Sequence, residues 1–336
     1  HIRLAHAPRR MDPHPGVPRS TEEDVQEEID KFEALGLPVG ACHAYGYWYA
    51  PVQNGRYPEL FPPKLGTEGF KQTISKLHRK GIRVVPYLLG SMWDQNTESW
   101  RTRNAAQGAF RGPDGQMNKL GYPARWNGLV LMCPGSKLWL DTQLDLSREL
   151  VGRYGAAGVY FDFLTGLICD CYNPDHGHAI GGGNYFSKSV HDLYGQVRRE
   201  IKKLNPDAMV TGEHVGEFVI DVLDTQLPFR SYHNQVPSFE AVYHGYTLLY
   251  GGWRGPRMKN SMKSGVPMPY CTGLFWLNGN QSGWGNHHGS LTQALKGDPR
   301  HQQWIQDAKY YFKLLHCHHR FGRHDRGRRP PETGVG

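Results

Sequence analysis

Several signatures are missing from this chain, and each absence removes a class of function. No apolar run approaches the roughly 20 residues that cross a bilayer as a helix, so no membrane span and no membrane partner are expected. No GxGxxG follows an early strand-like segment and no GxxxxGK(S/T) occurs, which leaves dinucleotide-binding and P-loop readings without support. No GxSxG elbow is present, which disfavours a Ser/His/Asp hydrolase. The 6 Cys (Cys42, Cys133, Cys169, Cys171, Cys271 and Cys317) are scattered, and a chain of 336 residues can bury a core without a disulfide framework. The chain begins at His1 without Met and shows no signal segment. A truncated or processed start is expected, and no compartment is assigned.

Charge is also missing where a nucleic-acid surface would need it. The formal net charge is +8, but Arg3, Arg9 and Arg10 stand near the start and Arg320, Arg323, Arg326, Arg328 and Arg329 near the end. Without those eight Arg the remainder is near neutral, so nucleic acid is not an expected partner. What the chain does have is aromatic mass. Aromatics make up 12% of it, with 9 Trp and 18 Tyr, enough for a large core and for ring platforms that stack on sugar faces.

The apolar pattern alternates short runs with helical stripes. A capping box at Ser20 and Glu23 opens a helix whose stripe is Val25, Ile29, Phe32 and Leu35. Strand-like runs follow at residues 39–45 and 82–89, separated by a helix with Phe70, Ile74 and Leu77 on one face. Residues 95–128 read as a long polar insertion, Leu129–Met132 as a short strand, and the segment from Ser136 through Val151 as a helix. Next come the strand ending at Asp162, a helix over about Tyr185–Leu204 and the strand ending at Glu213. Candidates at Phe239–Tyr250 and Gly273–Leu277 and a last helix over about His301–His316 complete the series. Such alternation predicts parallel β/α units. About eight strands in one series favour an α/β fold of the (β/α)8 TIM-barrel type, one catalytic domain over residues 1–320. An Arg/Gly/Pro-rich tail, 321–336, is expected to be disordered.

The chemistry concentrates at two strand ends. Gly158-Val159-Tyr160-Phe161-Asp162 and Met209-Val210-Thr211-Gly212-Glu213 are both short apolar runs closing on a carboxylate. In a β/α barrel such residues face the carboxyl end of the sheet, where catalysis is placed. A carboxylate pair there suits glycoside hydrolysis. One member attacks or stabilises the anomeric centre, and the other protonates the leaving oxygen and then activates water. Asp162 is expected to be the nucleophile, kept ionised by donors in its loop, and Glu213 the acid/base, with its pKa raised by an apolar neighbourhood. Alternatively either carboxylate caps a helix or pairs with a strand-end Arg.

His43, Tyr45, Trp48, Trp93, Asp94, Asp175, His176, His178, His214, Glu217, His244 and Trp276 lie at strand ends or in the loops beyond them and are candidates to line a sugar subsite; each could equally serve packing. Glu217, four residues past Glu213, is the alternative acid. The run from Cys169 to His178 crowds metal-ligand types but lacks CxxC or HExxH spacing, so it is read as a hydrogen-bonded substrate loop with no metal or other cofactor. A metal-dependent hydrolase using the Asp170–His178 loop is one rival reading, and a non-catalytic carbohydrate-binding barrel is another.

The strand-end pair resembles the fourth- and fifth-strand pattern of retaining barrel glycosidases of the α-amylase type, in which the Asp is nucleophile and the Glu acid/base. Only Asp162 and Glu213 carry over. That pattern has an Arg two residues before its nucleophile, where this chain has Tyr160, and its third acid has no clear equivalent here. Residues 171–178 and 181–185, with Phe61-Pro62-Pro63-Lys64 and residues 66–70, resemble a largely uncharacterised family of bacterial glycosidase-like barrels over roughly residues 20–317. The resemblance implies a glycosidase acting on an oligosaccharide or glycoconjugate, without implying α-glucan specificity or an oligomeric state. It also implies that the chain is a fragment, since flanking β-sandwich domains are common in such families.

Overall fold

The computed structural model describes residues 57–63, 66–117, 128–227, 238–243 and 246–249, the backbones of two strands at 39–44 and 275–278, and scattered positions between 30 and 36 and between 295 and 309.

The chain alternates as its pattern predicts. Strand β1 (Val39–Ala44) is followed by helix α1 (Gly66–Arg79), which buries Phe70, Thr73, Ile74 and Leu77 at helical spacing. Gly81, at φ +78°, ends that helix and turns the chain into β2 (Arg83–Leu89), every residue of which after Arg83 is buried. A short ribbon comes next, β3 (Met92–Asp94) and β4 (Leu129–Leu131), with the five-residue helix α2 (Glu98–Thr102) between them. Helix α3 (Lys137–Arg148) runs on through a wide turn at Glu149–Arg153 into β5 (Gly158–Asp162). Helix α4 (Tyr185–Leu204) leads to β6 (Met209–Glu213), β7 (Thr225–Leu227), α5 (Ser238–Tyr243), β8 (Leu248–Leu249) and β9 (Phe275–Asn278).

Seven strands form one sheet in the order β8-β7-β6-β5-β2-β1-β9, and all its pairings are parallel. Burial of all of β5, and of β2 beyond Arg83, is what a parallel sheet covered on both faces requires. Phe161 points to the helix side, edge-on to Tyr194 of α4 at 5.6 Å between ring centroids. Strand alternation therefore sends Tyr160 and Asp162 to the opposite face.

Three expectations need correction. Strand β4 does not join the parallel series, because it pairs antiparallel with β3: the run 129–131 folds back on the start of the insertion. The Phe239–Tyr250 segment begins as helix, within α5, and carries a two-residue strand, β8, further on. The 95–128 insertion is less irregular than its composition suggests, since it carries α2 and a 3₁₀ turn at Ala105–Gly108. Among the described residues no pairing joins β8 to β9, so the sheet stands as seven parallel strands. The Ser20 capping box and the 321–336 tail lie outside the described residues.

Candidate active site

Asp162 and Glu213 are the last residues of neighbouring strands. Register pairs Tyr160 with Thr211 and Phe161 with Gly212, so the next step sets Asp162 beside Glu213 on one face. The amide of Gly90 donates to the Asp162 carbonyl at 2.9 Å, holding the end of β5 to the end of β2. The residues directly after the two carboxylates, Phe163 and His214, both sit in the left-handed region, at φ +59° and +67°. Non-glycine residues rarely hold that conformation unless their surroundings impose it. Here it ends each strand abruptly at its carboxylate.

Both carboxyl groups are buried, each 5% exposed. The Tyr87 hydroxyl, from β2, donates to Asp162 Oδ2. The Phe163 amide donates to Glu213 Oε2 at 3.2 Å, and His214 Nε2 stands 3.6 Å from the same oxygen. Burial first, then the neighbouring Glu213, push the Asp162 pKa well above the ordinary carboxylate range, against the opposing pull of the Tyr87 hydroxyl and the Phe163 amide. The charge of a neighbouring carboxylate thus adds to burial in disfavouring an ionised Asp162. The donors around Asp162 do not outweigh its burial, which reverses the expectation that they keep it ionised.

The other candidates divide. His214 stays with the pair. A side chain at Gly166 would strike its ring, since a Cβ there would lie 2.0 Å from His214 Cδ2. Glu217 is exposed and accepts from the Tyr243 hydroxyl at 2.9 Å, which leaves Glu213 as the buried acid. Trp93 is wholly buried between Trp139 and Trp100, its Nε1 donating to Thr97 Oγ1 at 3.1 Å. It packs the core and offers no face to a sugar. Asp94 is buried as well, and its Oδ1 accepts from the amide and side chain of Asn96, closing a turn. Asp175 is exposed on a short 3₁₀ turn. His176 and His178 turn towards Cys171 and Cys133. His43 and Trp276 are placed in β1 and β9 by backbone alone, and Tyr45, Trp48 and His244 lie outside the described residues.

Sequence reasoning missed Tyr87. Its signal was an aromatic two residues before the end of an apolar strand, but only the β2–β5 pairing, which sets Tyr87 against Tyr160, shows that it reaches Asp162. Asp224 precedes β7 at the opposite end of the sheet, bonded to Arg198 and to the Val210 amide, and Asp221 faces His191.

A family model described as "Domain of unknown function (DUF6259)" matches residues 16–254. A protein of Bacteroides thetaiotaomicron named "Putative glycoside hydrolase" is 32% identical over 282 residues, covering 80% of this chain and 39% of its own length. One from Monosiga brevicollis, "Putative glycoside hydrolase 22789", is 25% identical over 236 residues, covering 63% of this chain and 19% of its own. The chain thus spans well under half of these relatives. Among solved structures, ligand-free alpha-N-acetylgalactosaminidase NagBb from Bifidobacterium bifidum superposes with TM-score 0.60 at 14% identity, covering 86% of this chain and 46% of that one. The cycloalternan-degrading enzyme from Trueperella pyogenes gives 0.59 at 15%, covering 90% and 47%. At such identities the likeness is one of fold: an α/β architecture on a parallel sheet.

Proposed function

The chain belongs to the DUF6259 family, and we propose that it is the catalytic part of a glycoside hydrolase that cleaves O-glycosidic bonds by a retaining double displacement, with Asp162 as nucleophile and Glu213 as acid/base. The observation that carries the reading is the pair of buried carboxylate residues at the ends of adjacent parallel strands. Both curated relatives carry glycoside-hydrolase names, which agrees with it. The parallel order of the described strands fits a (β/α)8 barrel over residues 1–320.

The chemistry follows from the pair. With a sugar between them, an Asp162 carboxylate oxygen attacks the anomeric carbon as the glycosidic C–O bond breaks, and the leaving oxygen takes its proton from Glu213. Water then attacks the glycosyl–Asp162 ester while Glu213 removes a proton from that water, which restores both groups. A retaining pair stands about 5–5.5 Å apart and an inverting pair roughly 6.5–9.5 Å; the placement of Asp162 and Glu213 at the ends of directly paired strands suits the closer spacing. Tyr87 donates to the carboxylate that must stay charged, and His214 stands beside the acid. The raised pKa of Asp162 favours one further arrangement, with Asp162 as the acid and Glu213 as the nucleophile.

A panel of α- and β-linked aryl glycosides, assayed with the wild-type chain and with Asp162→Asn, tests the reading. Turnover of one member that disappears in the variant supports a glycosidase and identifies sugar and linkage together. Full turnover in both Asp162→Asn and Glu213→Gln overturns it in favour of other chemistry, and binding without turnover leaves a carbohydrate-binding barrel.

A further inference from the structure

Four ligand-type side chains converge from two loops. Cys133 comes from the connection between β4 and α3, and Cys171, His176 and His178 from the loop between β5 and α4. Each offers one ligand atom, and all four atoms lie within 4.8 Å of one another. Cys133 Sγ is 3.3 Å from His178 Nε2, and Cys171 Sγ is 3.5 Å from His176 Nδ1. A tetrahedral zinc with Zn–S near 2.3 Å and Zn–N near 2.05 Å has ligand–ligand edges of roughly 3.3–3.8 Å, and both of these Cys–His separations fall in that range.

We propose that Cys133, Cys171, His176 and His178 bind one Zn²⁺ in a closed Cys₂His₂ site that fastens the loop following Asp162 to the β4–α3 connection.

The surroundings carry the proposal beyond proximity. A metal-binding imidazole needs its second nitrogen held by an acceptor, which fixes the tautomer and turns the ligating nitrogen inward. His176 Nε2 lies 2.8 Å from the Gln107 carbonyl, leaving Nδ1 towards Cys171. His178 Nδ1 lies 2.8 Å from the Ala179 carbonyl, leaving Nε2 towards Cys133. The His178 ring is further fixed by stacking on Tyr185, with 4.1 Å between centroids. Both sulfurs belong to buried residues and both rings to half-buried ones. Because all four positions come from the protein, the site is of the structural kind and needs no part in the reaction. Its place explains a role. Asn173 donates to the carbonyls of Gln107 and Ala109, and the Tyr172 amide donates to the Arg111 carbonyl, so the same loop is already tied to the 105–111 segment. The metal would complete that attachment. The Cys/His loop then serves architecture where its composition suggested a substrate contact. Spacing hid this, since the fourth ligand lies in a different connection.

The test uses the full chain, purified under reducing conditions without chelator. Elemental analysis by plasma mass spectrometry is expected to find about one zinc per chain after dialysis. Cobalt added to the stripped chain is expected to give the visible bands of a tetrahedral thiolate complex, and zinc to abolish them. Cys171→Ser and His178→Ala are expected to lose stoichiometric zinc, while Cys169→Ser, a free cysteine in the same loop but outside the set, retains it. If the ligand variants fail to fold, the cobalt spectrum of the wild-type chain still decides. Three results overturn the proposal: substoichiometric zinc both as purified and after zinc addition, equal zinc loss in Cys169→Ser, or a Cys133–Cys171 disulfide in place of two thiols.

Discussion

The amide of Phe163, the residue directly after Asp162, donates to Glu213 Oε2 at 3.2 Å. One strand end thereby orients the carboxylate of the next. The left-handed backbone of Phe163 aims that amide, so the backbone conformation at the end of β5 and the placement of the carboxyl at the end of β6 are one feature. The same stretch holds both groups of the proposed reaction.

The roles of the two carboxylates can be told apart by an external nucleophile. If Asp162 is the nucleophile, Asp162→Gly lowers kcat by about 10³-fold or more, and azide restores turnover with an inverted glycosyl azide. Glu213→Gln with an activated aryl leaving group would then yield the retained azide. Swapped stereochemistry would assign the nucleophile to Glu213. The configuration of the product by NMR is the readout.

Tyr87→Phe removes the hydroxyl donated to Asp162 while keeping the ring beside Tyr160. That hydroxyl lowers the Asp162 pKa, so its loss raises it further. A hydrogen bond to a charged group is worth about 1.5–3 kcal/mol, so the acid limb of the kcat/KM profile is expected to move up by about one pH unit or more. A fall in rate with the limb unmoved would mean that Tyr87 only packs.

Burial of Asp162 sets the pH dependence of stability. Its folded pKa lies above the unfolded value of about 3.9, so its contribution is fully present below that pH and is lost as pH rises through the folded value. Asp162→Asn, which cannot ionise, is therefore expected to be more stable than wild type at pH 7 and to match it near pH 3. Thermal melts of both proteins at the two pH values measure this. A wild-type chain as stable as the variant at pH 7 would refute it.

Gly158 opens β5 where a Cβ would stand 2.1 Å from the Met209 carbonyl oxygen and 2.8 Å from its nitrogen, both backbone atoms of the neighbouring strand. No rotamer relieves such a clash, so β5 and β6 must separate. Gly158→Ala is expected to cost roughly 3 kcal/mol and, because it disturbs the register that aligns Asp162 with Glu213, to lower activity in the protein that still folds. Chemical denaturation checks the first part and the aryl glycoside assay the second.

The apolar runs closing on Asp162 and Glu213, the helical stripe of α1 and the extent of α4 all depend on neighbours within a few residues. Sequence by itself determined them, together with the alternation that implies a parallel sheet and the exclusion of nucleotide-loop chemistry. Tertiary structure alone decided which of these pieces touch. Tyr87 reaches Asp162 because β2 pairs with β5, although the ribbon and α3 separate them along the chain. Strand β4 leaves the sheet because β3 offers it an antiparallel partner. Trp93 is lost to a sugar site because Trp139 and Trp100 cover it, and Cys133 joins the loop cysteine and histidines only when two connections meet. Local pattern reflects which face of an element is apolar, whereas sheet order, register and loop convergence are settled by the packing of the whole chain.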